Sequence, residues 1–315
     1  MKKILVAGLM AMGAIAAFAD DAAPERKAPV KALKVLMIGN SFSVCNCIHM
    51  PAVAKDLGLK LDLASLYIGG CTLERHWNNF VSNQTDSAYA PYAFDYRVDG
   101  VTNANSGVAH GPKIGRQTIG IREALTLSDW DVITLQQGSH MSWQPCSYHP
   151  YGDNLVAEIR KLCPKAEIVL QETWSYTPWD KRLARWGMDQ NVMYSLLHAA
   201  YADFAKKYGF RVIPMGTAVQ AWRRELPVRY TENTFGGDVV GGRGSRQPAW
   251  EQEDGKWIPK RDVFHLSPTG EYLQALVWTA KLFGADVTGC VYRPDCVTEA
   301  EAALMKKVAM KVVAE

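Results

Sequence analysis

Three residues that lie far apart in the sequence have the chemistry of a serine nucleophile and its base. Ser41 ends the motif Gly39-Asn40-Ser41, which directly follows an apolar run. A strand would end there and continue as a loop, which would expose the serine hydroxyl. A serine hydroxyl needs a base to remove its proton, and histidine is the usual base, held in place by a carboxylate. Asp262 and His265 are three residues apart, so on a turn or single helical loop they can hydrogen-bond. We therefore predict a catalytic triad of Ser41, His265 and Asp262.

The tetrahedral intermediate of acyl transfer also needs hydrogen-bond donors for its oxyanion. The available donors are the backbone N–H groups of Ser41 and Gly70 and the side-chain amide of Gln137, all at the ends of predicted strands. Each of these features alone is common in turns and helix starts. Their order along the chain, with the Asp-x-x-His segment near the end, makes a specific combination.

The elements that must position these residues are strands alternating with helices. Apolar, β-rich runs predict strands over residues 33–38, 61–68, 131–135, 167–170 and 211–213. Helical patterns occur over residues 50–57, 152–163, 189–208 and 268–283. This alternation predicts right-handed crossovers and a parallel sheet covered on both faces. Sites in such sheets form beyond the carboxyl ends of the strands, which is where Ser41, Gly70 and Gln137 lie.

The predicted strands and helices fit one domain, over about residues 33–288. Two connections are unusually long, over about 71–130 and 229–261, and both are rich in glycine and aromatic residues. Loops of that size are usually functional or carry small elements of their own. Residues 289–315 form a C-terminal tail in which we expect one helix.

The motif residues resemble those of a known family. Gly39-Asn40-Ser41-Phe42-Ser43 looks like the nucleophile block of the SGNH, or GDSL-like, hydrolases. Gly70 matches their glycine block, and Asp262-Val263-Phe264-His265 matches their terminal Asp-x-x-His block. The sequence is most similar to an exported bacterial branch that opens with Gly-Asn-Ser-Phe. The resemblance implies a flavodoxin-like α/β/α sandwich with a central parallel sheet of about five strands. It also implies ester hydrolysis with no cofactor and no metal.

The third block departs from the usual pattern of this family, Gly-x-Asn-Asp. Here the strand ends in Leu135-Gln136-Gln137-Gly138, which is similar to the Gln-Gly-Glu version of sialate O-acetylesterase-like relatives. In those relatives a glutamine donates to the oxyanion. Because side chains alternate along a strand, only one of Gln136 and Gln137 should face the site. We prefer Gln137 and keep Gln136 as the alternative.

The N-terminus has the pattern of a secretory signal peptide. A short basic start precedes an apolar run and the small residues Ala17-Phe18-Ala19, so we predict a signal peptide at 1–19. We predict a flexible leader over residues 20–32. Export permits disulfides, and of the seven cysteines Cys290 and Cys296 are the most plausible pair. We expect a periplasmic or secreted protein with no stable membrane insertion after cleavage.

The predicted loops suggest a carbohydrate substrate. Aromatic faces stack on sugar rings, and tryptophans occur in predicted loops at positions 77, 143, 174, 179, 250 and 257. The alternative is that these rings fill the core beneath the loops. Polar strand ends argue against a lipase, which needs an apolar surface around its serine. The expected substrate contacts are Asn40, His140, Glu172, Trp174 and Tyr176, and the expected reaction removes O-acetyl or other short O-acyl groups from a glycan.

Composition excludes several classes of protein. The chain has 315 residues, 48% of them hydrophobic and 21% charged, which is typical of a globular protein and not of a disordered or fibrous one. A formal charge of +3 argues against nucleic acid as the main partner. A flavin or nucleotide site would need a richer glycine loop after the first strand. The remaining alternatives are a lipid or aryl esterase and a glycan-binding protein without catalysis. The oligomeric state has no signature in the sequence.

Overall fold

The computed structural model describes residues 29–102, 118–225, 237–242, 250–259 and 262–315. Their strands are β1 Ala32–Gly39, β2 Lys60–Tyr67, β3 Tyr92–Val98, β4 Val101–Thr102, β5 Thr118–Ile119, β6 Val132–Leu135, β7 Glu167–Gln171, β8 Arg211–Ile213, β9 Val240–Gly242, β10 Trp250–Glu253, β11 Lys256–Pro259 and β12 Asp262–Leu266. Their helices are α1 Ser41–Val44, α2 Asn46–Asp56, α3 Leu73–Thr85, α4 Ile121–Thr126, α5 Tyr151–Leu162, α6 Lys181–Arg185, α7 Gln190–Tyr208, α8 Met215–Glu225, α9 Pro268–Phe283 and α10 Glu299–Ala314, with a 3-10 turn at Pro145–Tyr148. The predicted signal peptide lies outside the described residues.

A parallel sheet forms the centre of the molecule. Its strand order is β4-β3-β2-β1-β6-β7-β8, and β5 also pairs with β3. The strands β2, β1, β6, β7 and β8 are parallel to one another. Taken alone, they follow the 2-1-3-4-5 order of flavodoxin-like sheets. The predicted fold class, with about five parallel strands, is therefore confirmed.

The sheet is larger than the sequence suggested because the connection over residues 71–130 extends it. β3 pairs antiparallel with β2, and β4 and β5 pair antiparallel with β3. The same connection also contains α3 and α4. Much of this predicted insertion is therefore regular structure at one edge of the sheet.

Burial on both faces explains why the parallel strands are almost continuously apolar. In β1, Val35, Leu36, Met37 and Ile38 are all completely buried. Helices cover the sheet in two groups: α2 packs on α9, which also contacts α8 and α10, while α3 packs on α4 and α5. This arrangement leaves the loops at the carboxyl ends of the strands to form a site.

The segment that carries the Asp-x-x-His block lies outside the central sheet. Its strand, β12, pairs antiparallel with the short β9. β10 and β11 form a separate hairpin closed by Asp254 and Gly255, which both have positive φ angles, of 50° and 73°. These strands are the described parts of the second predicted insertion and of the residues that follow it.

The structure corrects the expected disulfide. None of the seven cysteines, all within the described ranges, forms a disulfide bond. Cys290 is buried and its thiol donates to the carbonyl of Tyr292, whereas Cys296 is exposed. The two thiols therefore have different surroundings and do not meet.

Candidate active site

The corner between β1 and α1 presents Ser41 at the end of the sheet. Gly39 is required there, because a Cβ atom would lie 2.0 Å from the Ser43 hydroxyl oxygen. The Asn40 side chain caps α1 by accepting a hydrogen bond from the Phe42 N–H at 3.0 Å. Its amide nitrogen donates to the carbonyl of Cys71 at 3.0 Å. Asn40 thus ties the loop that carries Ser41 to the loop that follows β2.

A local irregularity brings Asp262 and His265 to the same side of β12. In a regular strand, residues three apart point to opposite faces. The register between β12 and β9 shifts between Asp262 and Leu266. Asp262 Oδ1 accepts hydrogen bonds from the N–H groups of Phe264 and His265, both at 2.9 Å. The sequence predicted a turn or helical loop here, and the structure has a bent strand that achieves the same juxtaposition.

The three predicted triad residues form a continuous hydrogen-bonded chain. His265 Nε2 lies 2.9 Å from Ser41 Oγ, and His265 Nδ1 lies 2.6 Å from Asp262 Oδ2. Burial alone would raise the pKa of Asp262, but hydrogen bonds from the His265 side chain and from two backbone N–H groups lower the pKa to about 2. Asp262 is therefore a carboxylate at neutral pH, and it can hold the histidine tautomer whose Nε2 accepts the serine proton.

The expected oxyanion donors divide into backbone and side-chain groups. Ser41 is the first residue of α1, where backbone N–H groups have no partner within the helix. Gly70 is exposed and has a positive φ of 60°, a conformation that glycine adopts easily. Because Asn40 joins the two loops, both N–H groups belong to the same end of the sheet.

The side-chain amide of Gln137 is fully engaged elsewhere. Its oxygen accepts from the N–H groups of Leu73 and Gly138, at 2.9 and 2.8 Å. Its nitrogen donates to the carbonyl and hydroxyl oxygens of Ser147, at 2.8 and 3.0 Å. Gln137 thereby joins the start of α3 to the 3-10 turn, and no donor atom of this amide remains for an oxyanion.

Gln136, the alternative, is also turned into the interior. Its oxygen accepts from the Ser43 hydroxyl at 3.2 Å, and its amide nitrogen is buried with no partner among the described residues. Solvent does not reach this nitrogen, so it is not exposed to a substrate at Ser41. The geometry leaves the Ser41 and Gly70 N–H groups as the accessible donors of the expected set.

Most of the residues expected to contact substrate are enclosed. Asn40, Trp174 and Tyr176 are buried, with Trp174 and Tyr176 completely inaccessible. Trp174 donates its indole N–H to the carbonyl of Phe264, and the Tyr176 hydroxyl bonds to Ser139. Both rings are enclosed by the protein, so neither can touch a substrate at Ser41. His140 is only partly buried, and burial and then the charge of Arg182 lower its pKa.

Arg182 lies beside the triad, and our sequence reasoning did not include it. Its guanidinium carbon stands 4.3 Å from the ring centre of Tyr176 and 4.4 Å from that of Phe264. Asp180 holds it through Nε and Nη2, and 31% of the side chain is exposed. Trp179, nearby in sequence, is 40% exposed. The sequence shows a basic residue in the connection after β7. It does not show that Arg182 lies over two aromatic rings, because that position depends on tertiary packing.

Glu172 belongs to a different part of the molecule. Its carboxylate accepts from the N–H of Thr217, near the start of α8, and from His198 Nδ1, at 2.8 and 2.7 Å. These residues line a cavity of about 730 Å³ that is also bordered by β8 and the C-terminal end of α10. The expected contact between Glu172 and a substrate at Ser41 is therefore not found.

Two further properties concern the described residues as a whole. They contain no group of three or more His, Cys, Asp or Glu side chains arranged to hold a metal ion. No helix in the described ranges is long and apolar enough to cross a membrane.

Comparisons with known proteins place the chain in a family. A solved DUF4886 family protein from Bacteroides uniformis is 26% identical over 90% of this chain and 95% of its own, with a TM-score of 0.70. More distant structural neighbours include a Slackia heliotrinireducens protein provisionally named an SGNH hydrolase (22% identity, 79% and 97% coverage, TM-score 0.47). An acetylxylan esterase from Geobacillus stearothermophilus, solved as a catalytic mutant, is 12% identical over 78% and 93% of the two chains, with a TM-score of 0.42.

No curated protein matches the sequence. The matching family model is described as a domain of unknown function, DUF4886, and it covers residues 34–238. That segment includes Ser41 and Gly70 and ends before Asp262 and His265. The chain belongs to the DUF4886 family.

Proposed function

We propose that this protein is a serine ester hydrolase that uses Ser41 as nucleophile, His265 as general base and Asp262 as the carboxylate that orients the histidine. The observation that carries the proposal is the hydrogen-bonded chain from Ser41 Oγ to His265 Nε2 and from His265 Nδ1 to Asp262 Oδ2. A binding protein has no need of a nucleophile, base and carboxylate in this order. These two hydrogen bonds therefore favour a catalytic function over glycan binding alone.

In the first half of the reaction, Ser41 Oγ attacks the ester carbonyl carbon while His265 Nε2 takes the serine proton. Asp262 stabilises the imidazolium that forms. The carbonyl oxygen becomes an oxyanion, and we assign the N–H groups of Ser41 and Gly70 as its donors. The intermediate then collapses, the bond to the alcohol oxygen breaks, and His265 returns its proton to the departing alcohol.

In the second half, water attacks the acyl group on Ser41. His265 removes a proton from that water, a second oxyanion forms on the same donors, and the acid leaves as the proton returns to Ser41 Oγ. Every proton transfer passes through His265 Nε2, and no bound cofactor takes part in this scheme.

We propose O-acetyl or other short O-acyl groups on a glycan as the substrate. The sequence supports an exported protein, and the partly exposed Trp179, Arg182 and His140 offer a stacking surface and polar groups in the connections that follow β6 and β7. This set replaces most of the contacts expected from the sequence, because the enclosed residues among them cannot touch a ligand at Ser41.

Acetate release by the mature protein tests the proposal. Acetylated xylan and 4-nitrophenyl acetate supply the ester, and 4-nitrophenyl octanoate tests the lipid-esterase alternative. Ser41→Ala should abolish turnover, by a factor of ~10⁶. Ser43→Ala is the matched control, since that hydroxyl is buried and bonded to Gln136. Retention of more than a tenth of the activity by Ser41→Ala would exclude Ser41 as the nucleophile.

A further inference from the structure

Trp174 contacts the residues next to both the nucleophile and the base. Its ring lies parallel to that of Phe42, with centroids 4.0 Å apart and an interplanar angle of 7°. Its indole N–H donates to the Phe264 carbonyl at 2.8 Å. Phe42 directly follows Ser41, and Phe264 directly precedes His265. One side chain therefore spans the two halves of the triad.

These two halves come from parts of the fold that do not share a sheet. Ser41 follows β1 in the central sheet, whereas His265 lies in β12, which pairs with β9. The backbone ladder of the central sheet therefore does not fix the distance from Ser41 to His265. Contacts between the elements must fix it, and Trp174 supplies one contact to each side.

Neighbouring bonds hold both contacted segments firmly. The Phe42 carbonyl accepts from the side-chain amides of Gln171 and Gln274, at 2.9 and 2.7 Å. On the other side, the N–H and hydroxyl of Thr177 donate to the Val263 carbonyl, at 2.9 and 3.1 Å. The segment that follows β7 thus holds β12 at successive carbonyls, and within that segment the ring of Trp174 also stacks on Phe42.

We propose that Trp174 is a positioning residue that sets the distance and angle between Ser41 Oγ and His265 Nε2. This inference rests on the proposed function. Reaction rates are sensitive to such placement, since a shift of about 1 Å can cost ~10²-fold. Trp174 is completely buried, so it acts through Phe42 and Phe264 and does not touch the substrate.

Trp174→Phe tests the proposal, because phenylalanine keeps a ring against Phe42 but loses the donor to Phe264. Trp278→Phe is the matched control. Trp278 is also completely buried, but its indole nitrogen has no hydrogen-bond partner among the described residues. Both variants lose the same atoms from the interior, and only one loses a bond next to the base.

The readouts are kcat and KM on 4-nitrophenyl acetate, normalised to the fraction of sites titrated by a serine-reactive phosphonate. We expect Trp174→Phe to lower kcat by ~10–100-fold with KM changed less than about twofold. Trp278→Phe should keep kcat within about twofold of the parent. Loss of stability alone would lower the titrated fraction in both variants and leave kcat per site unchanged.

A second variant keeps the test independent of how well Trp174→Phe folds. Phe42→Leu keeps the bond from Trp174 to Phe264 but removes the ring contact with Trp174, together with the wider ring contacts of Phe42 with Phe264 and His265. It should therefore lower kcat at least as much as Trp174→Phe, at unchanged KM. Parent-like kcat per site in either folded variant, or a change confined to KM, would overturn the role of Trp174. The proposed function fails separately, if Ser41→Ala remains active. An inactive Ser41→Ala with a fully active Trp174→Phe would refute this inference alone.

Discussion

Three carboxylate–histidine pairs occur among the described residues, and in two of them the carboxylate is buried. These two pairs differ in what stands on the far side of the histidine. In the first pair, His265 Nδ1 bonds to Asp262 at 2.6 Å and Nε2 bonds to Ser41. In the second, His198 Nδ1 bonds to Glu172 at 2.7 Å, beside the cavity bordered by β8 and α10. The Nδ1–carboxylate contact is nearly identical in the two pairs. The serine on Nε2 is what distinguishes the candidate active site.

The second carboxylate bonds to the backbone of a different element, whereas the backbone bonds of the first stay within its own segment. Glu172 is buried and accepts from the backbone N–H and hydroxyl of Thr217, at 2.8 and 3.2 Å. It therefore satisfies a backbone donor near the start of α8. Asp262 instead bonds to backbone N–H groups of its own bend and to His265. The comparison shows that a histidine beside a carboxylate does not by itself define an active site.

Removing each carboxylate charge should separate the two pairs most strongly. Asp262→Asn should lower kcat by ~10⁴, because an amide can stabilise the wrong histidine tautomer and cannot stabilise the imidazolium. Glu172→Gln should leave kcat within about threefold and lower the free energy of unfolding by about 1–3 kcal/mol, since one of two buried acceptor oxygens becomes an amide nitrogen that cannot accept. Steady-state kinetics on 4-nitrophenyl acetate measures kcat for both variants, and urea unfolding measures their free energies of unfolding. A large kcat loss in Glu172→Gln would mean that the pairs are coupled.

The two glutamines at the end of β6 should affect stability more than catalysis. Gln137→Ala removes four hydrogen bonds and should lower the free energy of unfolding by about 1–3 kcal/mol. Neither Gln136→Ala nor Gln137→Ala should lower kcat by more than about fivefold, because the Gln136 amide nitrogen is buried and the Gln137 amide nitrogen is bonded to Ser147. A loss of ~10²–10³ in kcat at constant KM would identify a side-chain oxyanion donor and refute a hole made of backbone groups alone.

The smallest expected effects are opposite pH dependences of stability. The pKa of Asp262 is lowered to about 2, so its contribution is present above its unfolded pKa of ~3.9 and lost as pH falls toward 2. The hydrogen bond to Glu172 raises the pKa of His198. That contribution is present below the unfolded histidine pKa of ~6.5 and lost as pH rises through the folded value.

Urea unfolding at several pH values checks both signs. Between pH 5 and 3, the parent should lose more stability than Asp262→Asn, by at most about 2 kcal/mol. Between pH 6 and 9, the parent should lose more stability than Glu172→Gln. Parallel pH curves for the parent and either variant would remove the linkage assigned to that pair.

The backbone of the fold was predictable because it follows local patterns. The predicted bounds 211–213 and 268–283 are those of β8 and α9, where apolar residues and a Ser-Pro helix start act locally. α3, α8 and the antiparallel strands were missed, although α3 and α8 are amphipathic. β3 to β5 also depend on pairing with β2 or with each other, which no local pattern encodes.

The candidate site was predictable only in part. Ser41, Asp262 and His265 could be chosen because their residue types and order carry the chemistry, and the structure brings them into contact. The roles of Trp174, Tyr176 and the glutamines could not be predicted. Distant elements such as α3 and β12 decide whether an aromatic ring is exposed at the site or buried in the core. They also decide which groups an amide hydrogen-bonds to.

Labelling with a serine-reactive phosphonate tests the central claim most directly. The parent protein is treated with the reagent, digested, and mapped by mass spectrometry, beside His265→Ala under the same conditions. We predict one adduct, on Ser41, formed far more slowly when His265 is absent, because the base must remove the serine proton. An adduct on another serine such as Ser43, or labelling of Ser41 at the same rate without His265, would contradict a Ser41–His265–Asp262 triad.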